Sequence, residues 1–189
     1  MSSIAYTWGT TPNERARSFP CDRHMVDADD VYHRGVSVGA SAEIMFRWLC
    51  QLRAAPYSYD WIDNLGRQSP QQLTPGLDEL TVGQSVMSIF ELLEFEAGRH
   101  LTIRTVPNSN PESGLVRRTL AGAAPRVAVT YLIESITPTS SRLLVKVLVE
   151  FPAQPTGHLV RSTLPWLDLI MMRRQLLNLR RLAERTQAS

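Results

Sequence analysis

Cysteine is scarce in this chain: Cys21 and Cys50 are the two among 189 residues. Two thiols make no disulfide framework and no recognisable metal pattern. The four histidines, His24, His33, His100 and His158, are isolated from one another. No metal is expected. An excess of charge is missing too, since 20 Lys and Arg against 18 Asp and Glu leave a net charge of +2. Nothing in that balance demands a polyanionic partner, so nucleic acid is not expected. Long apolar runs are also lacking; stretches such as residues 169–172 fall far short of the roughly 18 residues of a membrane span. The start shows no basic segment, apolar core and small-residue cleavage site in succession, and a cytoplasmic protein is the expectation. A Gly-rich phosphate loop, a nucleophile elbow and a Cys/His catalytic signature are all absent, so no cofactor is expected and the commonest enzyme classes lose support.

What is present is a core for one domain. A chain of this length buries one sizeable core, and hydrophobic residues make up 43% of it. Residues 1–29 are polar and aperiodic with single aromatics, and read as an N-terminal arm that wraps the surface or hangs loose. Residues 30–186 read as the domain. From Asp30 the run VYHRGVSVG has strand composition, and Ser41 is a natural cap for a helix over 42–53 with Met45, Trp48, Leu49 and Leu52 on one face. Pro56 stops that helix.

Beyond a loop marked by Pro70, Pro75 and Gly76, residues 83–96 read as a strand. Gly98 marks a turn, and 100–106 the returning strand. Residues 107–125 read as a long surface loop. The clearest hairpin is 126–136 with 142–151, where Val127, Val129, Tyr131 and Ile133 face Leu143, Val145, Val147, Val149 and Phe151 across an inward side. Tyr131 therefore carries a hydroxyl into the core. In 162–186 apolar residues recur at helical spacing for about six turns, with Pro165 near the expected start. Leu169, Met172, Leu176, Leu179 and Ala183 form the stripe, Trp166, Ile170 and Leu177 widen it, and Asp168 is assigned mostly to another side.

Residues 31–52, VYHRGVSVGASAEIMFRWLCQL, resemble the opening strand and helix of the START-like, Bet v 1-like (SRPBCC) superfamily of polyketide cyclases and lipid transfer proteins. The small-residue turn Gly39–Ala42 and the segment from Tyr57 to Trp61 extend that resemblance. The string APYSYDWIDNLGRQSP looks like a signature of a bacterial subgroup of uncharacterised proteins. The resemblance implies an α+β helix-grip fold: a curved antiparallel sheet of about seven strands around the long C-terminal helix, two short helices near the N-terminal part, and a cavity between sheet and helix.

Within that frame three functions compete. A binding protein would hold a small hydrophobic molecule against Tyr57, Tyr59, Trp61, Met87, Ile89, Tyr131, Trp166, Ile170 and Met172. A cyclase- or aromatase-like enzyme would move protons with Tyr131, Glu91 or Asp60. An interaction module would use the arm and the basic helix end. Each residue also has a plainer role: the aromatic connector as a structural corner, the Met and Trp residues as core, the Arg cluster of the last helix as a solvated face. Glu91 lies inside only if the strand around it runs without a bulge, and Arg104 is its candidate partner.

Overall fold

The computed structural model describes residues 3–58, 68–87, 89–106, 125–152 and 156–189. Six strands, β1 (Asp30–Val38), β2 (Ser85–Val86), β3 (Phe90–Glu96), β4 (His100–Thr105), β5 (Arg126–Thr137) and β6 (Ser140–Glu150), form one antiparallel sheet. Their order is β1-β6-β5-β4-β3-β2, so the first strand crosses over to pair with the last. Among the described residues the α-helices are α1 (Ile4–Thr7), α2 (Pro12–Arg15), α3 (Ala42–Cys50) and α4 (Thr156–Gln187). The curved sheet grips α4, the α+β arrangement expected, with six strands rather than about seven among the described residues.

Alternation decides the faces. Val129 pairs with Val147, Tyr131 with Val145 and Ile133 with Leu143, and all six are buried on the side facing α4. Leu176, Leu179, Leu182 and Ala183 of the helix meet that side, and α3 closes the core with Met45, Trp48 and Leu49. Ser41 caps α3 as expected, its hydroxyl accepting from Ile44 N at 3.2 Å.

Two elements differ from their sequence reading. The run 83–96 is broken: Met87 takes φ +48, and β2 folds back on β3. Helix α4 begins well before Pro165, which lies inside it. A proline removes one amide donor, and the packing of the long helix on the sheet outweighs that loss.

The arm is not loose. Among the described residues it crosses the outer face of the sheet, where Phe19 and Cys21 pack on Ala128, Leu144 and Leu148. That contact explains why β6 is apolar at two positions on its outward side. Arg142 holds Glu14 at 2.8 Å and Lys146 holds Asp22 at 2.6 Å, while Cys21 N donates to Thr130 Oγ1 at 2.9 Å. Arm and sheet cross where a Cβ on Gly9, at φ +73, would stand 2.1 Å from the Gly35 carbonyl oxygen. Only glycine fits there. Burial pushes the Cys21 thiol up to about 11 and the Cys50 thiol up to about 12, so both behave as small apolar groups.

Candidate functional site

Three residues of α4 spaced seven apart, Arg161, Asp168 and Gln175, each meet a polar partner on the sheet. Arg161 Nη2 donates to Asp30 Oδ1 at 2.8 Å, Arg34 Nη2 donates to Asp168 Oδ2 at 2.6 Å, and the Tyr131 hydroxyl donates to Gln175 Oε1 at 2.8 Å. Seven residues are about two helical turns, so the three stack on one side of the helix. The next position in that series, Leu182, is apolar and buried. A row of polar contacts thus runs through an otherwise apolar interface and ends in the deep core.

Arg34 is the centre of that row. It alternates with Tyr32, Val36 and Val38 on the inward side of β1, and its side chain is 0% exposed. Besides Asp168, it donates from Nη1 to the His33 carbonyl at 3.0 Å and reaches the Pro165 carbonyl at 3.5 Å. Its guanidinium carbon lies 5.5 Å from the centre of the Tyr32 ring. Two donors remain over: Arg34 Nε and the Tyr32 hydroxyl are buried without a hydrogen-bond partner among the described residues. Tyr6 of α1 stands edge-on to Tyr32 at 5.3 Å and closes that end.

Burial pushes the Asp168 carboxyl upward, and the Arg34 guanidinium beside it pulls the other way. The carboxylate is 17% exposed, so it touches the surface while Arg34 does not. Burial raises the Tyr32 and Tyr131 phenols as well, with the charge of Asp168 adding to the rise at Tyr131. Both are neutral hydrogen-bond donors at ordinary pH.

Gln175 ties Tyr131 to the connector after α3. Its Nε2 donates to the Pro56 carbonyl at 2.6 Å and lies 3.6 Å from Met87 Sδ, while Asn178 Nδ2 donates to the Tyr57 carbonyl at 2.8 Å. Tyr57 and Met87 carry positive φ, at 56° and 48°, strained values for residues with a Cβ. The two helix amides therefore grip chain segments that would not hold that shape alone. Tyr57 is buried, its ring edge-on to Trp48 at 6.1 Å. Met172 also borders the Tyr131 hydroxyl, its Sδ 3.9 Å away.

The remaining candidates do not join this group. Glu91 lies on the outer face, paired across the strands with Arg104 at 3.2 Å. Phe90 and Leu92 point inward instead, and a bulge between Leu92 and Glu94 brings Phe95 back to the same side. The expectation of a carboxylate inside the grip is corrected for Glu91. Ile89, Trp166 and Ile170 are 57%, 52% and 53% exposed, so the expectation that they wall the interior is corrected too. For the two helix residues the reason is angular: α4 turns Asp168 and Leu169 toward the sheet and leaves Trp166 and Ile170 on the far side. Tyr59, Asp60 and Trp61 lie outside the described residues.

Arg34, Tyr32, Asp168 and Gln175 were not singled out from sequence. The available signal was the spacing of seven in α4 and the even positions of β1. Elsewhere, a surface depression of about 470 Å³ lined by Tyr6, Arg15 and His33 opens on the other side of β1, against the arm. Among the described residues no group of three or more His, Cys, Asp or Glu side chains could hold a metal ion, and no helix is long and apolar enough to cross a membrane.

No protein-family model matches the chain, and no curated protein matches it in sequence. Solved structures do. A protein from Arthrobacter aurescens superimposes with a TM-score of 0.51 at 10% identity, over 82% of this chain and 86% of that one. The fold is shared. Weaker likenesses, which bear on nothing beyond general shape, include the di-domain ARO/CYC protein BexL of the BE-7585A biosynthetic pathway. It has a TM-score of 0.45 and 10% identity over 82% of this chain and 46% of that one. A point mutant of norcoclaurine synthase from Thalictrum also scores 0.45, at 10% identity over 83% of this chain and 95% of that one.

Proposed function

We propose that this protein binds a small, mostly apolar molecule between the sheet and α4, with the polar row on the inner face fixing the orientation of the ligand. The observation that carries the reading is the fully buried Arg34, paired with Asp168 inside an interface built mainly of apolar side chains. A buried ion pair is a poor way to stabilise a fold, because the desolvation of both charges offsets most of their attraction. Apolar side chains of similar volume would serve stability as well. Pockets for small molecules combine apolar walls with a few polar groups that set direction, and this row has that composition.

A cyclase- or aromatase-like reaction is the alternative. It draws less support, since two of its candidate proton carriers, Tyr131 and Glu91, sit on opposite faces of the sheet. Tyr131 is a neutral donor already engaged by Gln175. For an interaction module, the described arm is spent on the sheet, and Arg180 and Arg181 are engaged locally by Glu184 and Gln71.

Titration of the ¹⁵N-labelled full chain with 2-ethylnaphthalene tests the reading. Saturable amide shifts along Tyr32, Tyr131 and Met172 are expected. Absence of saturation, or shifts confined to the outer face, would overturn it.

A further inference from the structure

Two donors on the inner face of β1 have no acceptor. The Tyr32 hydroxyl and Arg34 Nε are buried, two residues apart on one side of the strand, and no described group accepts from either. Leaving a buried donor without an acceptor is costly, and two neighbouring ones pointing at one side of a strand form a matched request for oxygen. Their surroundings narrow the kind of oxygen. The positive charge of Arg34 is answered by Asp168 at 2.6 Å, and Asp30, on the same side of β1 with its Oδ2 buried and unpartnered among the described residues, is answered by Arg161 at 2.8 Å, so the pairs leave no net charge. An anionic ligand would meet the Asp168 carboxylate while Arg34 is already committed to it, and would also lose its own hydration. A neutral acceptor pays neither cost.

We infer that Tyr32 and Arg34 receive a neutral carbonyl oxygen carried by an otherwise apolar molecule, the Tyr32 hydroxyl and Arg34 Nε–H both donating to it. This rests on the interior being a ligand site and names the chemical class of that ligand. A carbonyl oxygen has two lone pairs and accepts two donors at once. The Arg34 guanidinium cannot turn away, since Asp168, the His33 carbonyl and the Tyr32 ring fix three sides of it. The site is therefore set before the ligand arrives.

Matched probes separate the possibilities. 2-Acetylnaphthalene, 2-ethylnaphthalene and 2-naphthoate share one ring system and differ in bearing a ketone, a hydrocarbon or a carboxylate. Affinities are read by probe fluorescence for the wild-type full chain and for Tyr32→Phe, which removes one oxygen that bonds nothing in the fold. Circular dichroism checks that the variant is folded. The ketone is expected to bind about tenfold tighter than the hydrocarbon and at least about tenfold tighter than the carboxylate. Tyr32→Phe is expected to shrink the ketone preference to about threefold or less, with the hydrocarbon unaffected. Equal binding of ketone and hydrocarbon, tighter binding of naphthoate, or a preference untouched in Tyr32→Phe would overturn this inference while leaving apolar binding standing. Failure of all three probes to bind would overturn the reading of the interior itself, and this inference with it.

Discussion

Arg34 on the first strand and Asp168 on the last helix meet at 2.6 Å although 134 residues separate them in sequence. The contact joins the two elements that define the grip, and Arg34 has no surface through which water could replace its partner. Asp168→Ala should therefore cost about 3–5 kcal/mol by leaving a buried charge unpaired. The pair Arg34→Met with Asp168→Leu should restore stability to within about 1 kcal/mol of wild type, or exceed it. Urea unfolding of the three proteins checks this. An Asp168→Ala variant as stable as wild type would show that Arg34 is not held as described.

Tyr131 and Tyr32 make a second comparison, since they are two buried phenols of which one is bonded. Tyr131→Phe strips the donor from Gln175 Oε1 and should cost about 1–2 kcal/mol. Tyr32→Phe removes a buried hydroxyl with no partner among the described residues and should raise stability, by up to about 1–2 kcal/mol. Equal costs in thermal or urea unfolding would contradict the assignment of partners.

Much of the fold could be read in advance from β5 and β6, where one face alternates cleanly and the register follows. The site could not. Strand β1 is covered on both sides, by α4 and by the arm, so Arg34 stands among residues that alternate without a polar face to mark the outside. Asp168 looked like a surface residue because an acidic residue beside an apolar stripe is usually solvated. Its inward direction is decided by Arg34, a partner in a distant part of the chain. Trp166 and Ile170 err the opposite way, since hydrophobicity suggested burial and only the angle about α4 exposes them. Glu91 turned on a single bulge, which sequence alternation left open.

Acid should weaken the fold in two steps. His33 is held down at about 4, by burial first and then by the charges of Lys146 and Arg15, against 6.5 when unfolded. Between those values the unfolded chain binds the extra proton, so the stability due to neutral His33 is complete above pH 6.5 and lost as pH falls to about 4. Glu14 is held at about 2 by its hydrogen bond from Arg142, against 4.5 when unfolded. That contribution is complete above pH 4.5 and disappears as pH falls toward 2. His33→Leu should flatten urea midpoints across the upper window, and Glu14→Gln across the lower one. Unchanged slopes in either variant would contradict the corresponding assignment.

The glycine crossing gives a prediction about the arm. Gly9→Ala places a methyl group 2.1 Å from the Gly35 carbonyl oxygen at a positive φ, and the arm must move to admit it. A loss of about 1–3 kcal/mol is expected, together with faster tryptic cleavage after Arg15 or Arg17. Wild-type stability and cleavage rate would mean that the arm does not dock through this crossing.

The Nε–H of Arg34 offers the most direct test that the inner row is where a ligand sits. Its side-chain ¹⁵N resonance can be followed in the full chain during titration with 2-acetylnaphthalene, with Arg34→Lys used to assign it. The account predicts a saturable shift of that resonance in step with the amides of Tyr131 and Gln175. Saturable binding of the probe with the Arg34 Nε–H resonance unmoved would contradict it.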